Sequence, residues 1–251
     1  MIRPKDFFLA LQFLTVIPFK TKLKYNEDSF SNSAVFFPLV GLLIGSVLAL
    51  FNILLSGFLP DFTVNVILVF LLVLITGGLH MDGFADTIDA FYLKRSKEDT
   101  LRIMRDSHTG VMGVLGIVFI ILLKIGFLET FSTSEKLKPL LITPVLSRWS
   151  MVLSMFFFSY ARDGGKAKAF FTGMNGRKLF LATLITFAVT YFILGIAGFM
   201  LIALIAASAL GFGLTVRKRI GGITGDTLGA VNEISEVLAL IFLCACYKLL
   251  L

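Results

Sequence analysis

Four aspartates, Asp82, Asp86, Asp89 and Asp106, stand between two long apolar segments in the stretch GGLHMDGFADTIDAFYLKRSKEDTLRIMRDSHTGVMG, Gly77 to Gly113. Carrying the preceding helix through the motif sets Asp82, Asp86 and Asp89 at i, i+4 and i+7, so their carboxylates share one face over two turns. That face would lie near the C-terminal end of the helix, where the macrodipole disfavours anions, and like charges at this spacing repel. A bound cation relieves both costs. Hard divalent ions take oxygen ligands, and Mg2+ characteristically uses one or two carboxylates, water and a substrate phosphate. The stretch therefore reads as a metal and phosphate site. The plainer alternative is a solvated helix exit that runs into the charged loop Lys94 to Asp106.

Asp106-Ser107-His108-Thr109-Gly110 stands at the entry to an apolar run. Asp106 or Ser107 can cap that helix, or Asp106 can join the metal ligands while helical N–H groups near Gly110 face a phosphate; both readings can hold together. A second motif, GGITGDTLGA from Gly221 to Ala230, brings Gly222, Thr224, Gly225 and Asp226 between Arg217-Lys218-Arg219 and a helix. Glycines let backbone approach phosphate, and successive N–H groups can form an anion nest. The Gly-Lys-Ser/Thr ending of a P-loop is missing, and an ordinary turn with helix-packing glycines is the alternative.

Asn232, Glu233 and Glu236 enter the last apolar run, where ionisable groups are costly enough to suggest function. Glu236 can instead form a structural pair with Arg148 or Lys124. Arg148 itself could grip a substrate phosphate with its guanidinium fork or satisfy a buried carboxylate. His80 and His108 stand apart from other nitrogen or sulfur ligands, so zinc is not expected; His80 beside Asp82 remains open to a hydrogen-bonding or base role.

The elements that must position these groups are membrane helices. The chain has 251 residues, 57% hydrophobic and 16% charged, with mean hydropathy +0.92. Apolar runs long enough to cross a bilayer recur throughout, so the expected fold is an all-α polytopic bundle forming one domain, residues 1–251. About seven spans are expected, at 34–58, 62–79, 111–128, 139–160, 179–195, 198–216 and 231–251. Asp6 to Phe19 is too short to span and is flanked by lysines and an arginine, which suits an interfacial or re-entrant helix; Thr21 to Ser33 reads as a loop. Gly77 and Gly78 allow a bend or a close helix approach, and Gly195 and Gly198 mark a break between two spans. Cys244 and Cys246 are too close in sequence for a mutual disulfide and read as packing or lipid-facing residues. No cleavable signal peptide is expected, since the apolar start is short and lacks a small-residue cleavage site.

The net charge of +7 comes from Lys and Arg dispersed among membrane-flanking loops, which argues against nucleic acid as a partner and for the lipid bilayer. These residues concentrate at the N-terminus, at 94–105, at 162–178 and at 217–219. That bias implies a cytoplasmic N-terminus, an external C-terminus, and all the site carboxylates on the cytoplasmic surface.

At HMDGFADTIDAF, IMRDSHTGVMGVLG, VLSRWSMV and GGITGDTLGAVNEISEVLAL the chain resembles the adenosylcobinamide-GDP ribazoletransferase, or cobalamin synthase, family; QFLTVIPF and FFPLVGLLIG look like further landmarks in the same order. Met81, Ala90 and His108 depart from the residues common in the family, the last in place of a frequent arginine. The resemblance implies a multi-pass enzyme of the inner membrane with its active site toward the cytoplasm. Such an enzyme joins adenosylcobinamide-GDP to α-ribazole or its 5'-phosphate and releases GMP, with Mg2+ as cofactor. It also allows for self-association, or association with other enzymes of the pathway. On this reading Asp82 and Asp86 hold Mg2+ against the diphosphate, Asp89 or Asp106 completes the site, and Asp89 serves as base. Substrate contacts would come from His80, Ser107, His108, Arg148, Gly222, Thr224, Gly225, Asp226, Asn232 and Glu233.

Two rivals predict different features. A CDP-alcohol phosphotransferase places Ala-Arg three residues after Asp-Gly, whereas Asp82-Gly83 is followed by Phe84-Ala85-Asp86-Thr87. A secondary transporter predicts internal repeats and a midplane site, but no repeat is visible and the acids gather toward one surface. The orientation is open to direct test: a reporter active only outside the cytoplasm should work when fused after Leu251 and stay silent within 94–105. The reverse pattern overturns it.

Overall fold

The computed structural model describes residues 2–18, 27–165 and 167–250. Among these, regular structure is helical throughout, apart from one isolated parallel bridge between Tyr160 and Ile223. The helices are α1 (Pro4–Leu14), α2 (Glu27–Ser33), α3 (Phe37–Leu55), α4 (Asp61–Thr76), α5 (Leu79–Phe91), α6 (Lys97–Ile103), α7 (Val111–Leu128), α8 (Leu137–Phe157), α9 (Lys168–Phe171), α10 (Gly176–Leu194), α11 (Ala197–Ile220) and α12 (Gly225–Leu250). Six helical stretches are long and apolar enough to cross a membrane, with the bent pair α4 and α5 as a seventh candidate.

Most expected spans match these helices, α7 at both ends. Beyond shifts of a few residues at other ends, three differences stand out. The expected loop before the first span is helical from Glu27 and runs through a 3-10 turn, Ala34–Phe36, into α3; Phe19 and residues 20–26 lie outside the described residues. The last helix begins at Gly225 rather than near Val231, so much of the glycine-rich motif is helix. The second span stops at Thr76, and α5 leaves α4 at 91°.

That elbow is made by Gly77 and Gly78, both left-handed at φ 61° and 70°, a conformation that costs residues with a Cβ. Their N–H groups donate to Leu74 O and Val73 O at 3.1 and 3.0 Å, closing the end of α4 as in a Schellman motif. Val16, just beyond α1, donates its N–H to Ile75 O at 2.8 Å and ties the first helix to the elbow. In the pair we read α4 as the crossing leg. Helix α5 carries three aspartates and packs chiefly on α12 and α7, with a smaller contact to the charged α6.

The central post is α8, against which α3, α10, α11 and α12 all pack. Its approach to α3 is set by Gly41 and Gly45, one turn apart. A Cβ added at Gly41 would fall 2.2 Å from Pro144 O, and one at Gly45 would fall 2.5 Å from Leu140 O. Small residues at this spacing let membrane helices meet backbone to backbone, where dispersion replaces the missing hydrophobic drive. Pro144 has no N–H to give the carbonyl of Leu140, and that oxygen faces Gly45.

Behind this seam lies a buried group of four charges. The Lys124 ammonium on α7 contacts Glu233 Oε2 at 2.6 Å and also Glu236, and the Arg148 guanidinium on α8 contacts Glu236 from the other side. Asn232 Nδ2 donates to Glu233 Oε1 and Glu236 Oε1 at 3.3 and 3.2 Å. Two cations balance two carboxylates, which is what permits ionised groups at this depth. Breaking the set should be costly. Glu236→Ala should lower stability by about 3–5 kcal/mol, read as a large fall in thermal midpoint of the purified protein; an unchanged midpoint would mean that these charges are not buried in the membrane-embedded state.

Candidate active site

The site forms where α4, α8 and α11 end and α12 begins. Helices α5 and α12 cross there at two glycines: a Cβ on Gly83 would lie 2.7 Å from Asp226 O, and one on Gly229 would lie 2.9 Å from His80 O. This contact sets Asp82 beside Asp226. The elbow has a second effect, because it makes Asp82 a first-turn residue of α5, and Asp226 occupies the first turn of α12. The expectation that Asp82 sits at a helix C-terminus is therefore corrected: the dipole favours an anion at both places.

Asp82 is exposed and Asp86 half-buried, one turn further on. Burial first, then the charges of Asp82, Asp226 and Asp89, push the Asp86 carboxyl up to about 7, with Arg162 opposing. The carboxylates are thus close enough to repel, which a cation between them would relieve. Among the described residues no three His, Cys, Asp or Glu side chains form a ready-made metal cage. The donors present suit an ion that takes one or two carboxylates and completes its shell with water and phosphate, as Mg2+ does.

Asp89 is engaged elsewhere. Its carboxylate accepts the Gly110 and Gly113 N–H groups at 2.6 and 2.8 Å, and so caps the N-terminus of α7 from a different helix. Both glycines lie so close to it that a Cβ at either would be within 2.6 Å. Asp106 is exposed on the loop and accepts from the His108 N–H at 3.0 Å, with His108 Nδ1 at 2.7 Å. These hydrogen bonds hold the Asp106 carboxyl below its usual range. Ser107 and His108 share that exposed loop, and none of the three lines the cavity described below.

The glycine-rich motif does not present a nest at its start. Ile223 N–H goes to Ser159 O at 2.9 Å, and Gly222 packs so closely on Ser159 O that a Cβ would lie 2.4 Å away. Thr224 and Thr227 cap α12 reciprocally, each backbone N–H donating to the other's hydroxyl at 2.8 and 3.2 Å. The pairing of 159–161 with Ile223 carries in two residues that the sequence reading passed over, Tyr160 and Arg162. Arg162 Nη2 donates to Asp226 Oδ2 at 2.7 Å and to Met104 O at 3.3 Å. Burial pushes the Tyr160 hydroxyl up. Only the Ser-Tyr-Ala-Arg-Asp turn beside a basic loop hinted at them.

A cavity of about 310 Å3 opens beside the carboxylates, lined in part by His80, Asp82, Tyr160, Arg162, Gly225 and Asp226. His80 is buried, and burial with the nearby Arg148 charge pushes its imidazole down to about 3, so it is neutral. The structure thus gathers His80, Asp82, Asp86, Gly225 and Asp226. Arg148, Asn232 and Glu233 are instead held in the four-charge group, the structural alternative considered for Glu236, and do not line the cavity.

Fold and site together define a polytopic helical membrane protein with a carboxylate-lined pocket at one end of its bundle. The model of the family described as cobalamin-5-phosphate synthase matches residues 6–244. A Thermoanaerobacter sp. (strain X514) protein is 40% identical over 239 residues, covering 94% of this chain and 96% of its own. Relatives from Caldanaerobacter subterraneus subsp. tengcongensis and Geotalea daltonii are 38% and 35% identical over 247 and 239 residues. Each alignment covers 95% of this chain, and respectively 97% and 96% of the relative. All three are named adenosylcobinamide-GDP ribazoletransferase. The chain belongs to the cobalamin-5-phosphate synthase family. No solved structure matches it.

The cap role separates Asp89 from its neighbours. Asp89→Ala should cost about 1–2 kcal/mol of stability while leaving the activity of the folded protein within a few-fold of wild type. Thermal unfolding and turnover per folded molecule check this; normal stability with no turnover would return Asp89 to the reacting group.

Proposed function

We propose that this chain is an adenosylcobinamide-GDP ribazoletransferase. It would join adenosylcobinamide-GDP to α-ribazole or its 5'-phosphate and release GMP, at the cytoplasmic face of the cell membrane and with Mg2+ as cofactor. The observation that carries this reading is the pairing of first-turn aspartates, Asp82 and Asp226, at the mouth of a cavity, with Asp86 behind them under like-charge repulsion. The names of the relatives support the substrate classes.

In the reaction the ribazole hydroxyl oxygen bonds to the phosphorus attached to cobinamide, and the bond from that phosphorus to the GMP oxygen breaks. Such a transfer asks the protein for positioning and charge neutralisation more than covalent chemistry. Asp82 and Asp86 would hold Mg2+, which when bound supplies neutralisation of the diphosphate. The hydroxyl proton would leave to Asp226, the carboxylate of this group that does not hold the ion and whose Oδ2 alone is engaged by Arg162. Arg162, fixed by Asp226 and Met104 O, keeps its guanidinium at the cavity wall, where a phosphate oxygen can accept from it. The N-termini of α5 and α12 add partial positive charge on the same side.

Purified, lipid-reconstituted protein should release GMP and form the cobalamin product in equal amounts, only with Mg2+ present. Asp82→Asn should lower turnover at least about 100-fold with its thermal midpoint unchanged. Wild-type rates in that variant would remove the metal assignment. No product from folded wild type would shift weight to the lipid phosphotransferase alternative.

A further inference from the structure

Two segments far apart in the chain build one basic surface at the end of the bundle that holds the carboxylates. The connection from α5 to α6 carries Lys94, Arg95 and Lys97, and the last turn of α11 carries Arg217, Lys218 and Arg219. Arg219 ties the segments together: its guanidinium donates to Leu93 O and lies 4.9 Å from the centre of the Phe91 ring. Lys97 makes a second link, since a Cβ on Gly221, the cap of α11, would fall 3.0 Å from its ammonium nitrogen. None of these six cations pairs with a carboxylate among the described residues. Asp99 is taken up by Arg102 and Ser96, which leaves Glu98 as the nearby acid in sequence. The dipole at a helix C-terminus amounts to about half a charge, so a single cation would answer it.

The same surface carries exposed apolar side chains. Leu214, Arg217 and Lys218 stand at i, i+3 and i+4 on α11 and so share a face, with Leu214 49% exposed. Across the Arg219 contact, Tyr92 and Leu93 are 61% and 49% exposed. Helix α11 is long and apolar enough to cross a membrane, and Arg217 begins its polar end. Cations in that position stand at the depth of lipid headgroups, tyrosine favours the same depth, and Leu214 lies one turn deeper, beside acyl chains.

We propose that this surface binds an anionic phospholipid, its headgroup phosphate among Lys97, Arg217 and Lys218 and its acyl chains along Leu93 and Leu214. Charge and apolarity together choose the occupant. A free nucleotide or a nucleic acid would match the cations and leave Tyr92, Leu93 and Leu214 in water. A zwitterionic lipid would match the apolar neighbours and bring a cation of its own, which the surface repels. The anionic lipid answers both. It would bridge the C-terminal end of α5 and the segment that leads from Gly221 into α12, the two helices that carry Asp82 and Asp226. Its binding does not depend on which reaction the carboxylates serve.

The test uses the full chain carrying Tyr92→Trp in phosphatidylcholine nanodiscs. A minor share of the lipid is brominated phosphatidylglycerol or, in parallel, brominated phosphatidylcholine. Trp149, buried in α8, supplies a constant background. The anionic quencher should dim the introduced tryptophan at least about threefold more effectively than the zwitterionic one. Adding Lys97→Gln, Arg217→Gln and Lys218→Gln should abolish that preference. Lys138→Gln, at an exposed lysine at the opposite end of α8, should leave it intact. Equal quenching by both lipids, or a preference that survives the triple substitution, would overturn the proposal. So would a preference that inorganic phosphate abolishes and sodium chloride of equal ionic strength does not, since the cations would then serve a free phosphate.

Discussion

Charge balance inside the bundle is the constraint on which the rest depends. Lys124, Arg148, Glu233 and Glu236 are all nearly fully buried, and none could remain ionised there alone. Satisfying them requires α7, α8 and α12 to keep one rotation and one depth relative to each other. With α12 fixed, the contact of Gly83 on Asp226 and of Gly229 on His80 leaves α5 little freedom to slide. The carboxylates of α5 and α12 therefore inherit their spacing from a polar core that does not itself line their cavity.

The site rests on two helix beginnings. Burial, and after it the charges of Asp82, Asp226 and Asp89, raise the Asp86 carboxyl, so these acids repel one another. Here the N-termini of α5 and α12 and the Arg162 guanidinium offset part of that repulsion without filling the space between the acids. What is left over is negative charge gathered beside one cavity. The arrangement also divides the labour among the aspartates: Asp89 steadies α7, Asp226 anchors Arg162, and Asp82 remains exposed.

Much of this was legible in the sequence, and what was not has a physical cause. Hydropathy is a local property, so the crossing helices were readable, and α7 matched at both ends. The three aspartates of α5 were readable as a shared face because their spacing is also local. The direction of that face was not. Gly77 and Gly78 were read as permitting a bend, but only the fold shows that the bend starts a new helix and reverses the dipole felt by Asp82. The cap that Asp89 gives α7 was not legible, because its partners, the Gly110 and Gly113 N–H groups, belong to another helix. Arg162 was passed over since its role depends on the pairing of Ala161 with Ile223, far apart in the chain. The family resemblance in the sequence agreed with the family match.

The elbow between α4 and α5 has a mechanical meaning. Membranes differ in thickness, and a crossing helix answers by changing its tilt. Had α4 run unbroken into the aspartates, it would act as a lever, swinging their carboxylates whenever the bilayer around it thinned or thickened. Two left-handed glycines take α5 off that lever, and its extensive packing on α12 fastens it to the far side of the bundle. The lipid is free to vary while the spacing of the carboxylates stays with the protein's own core.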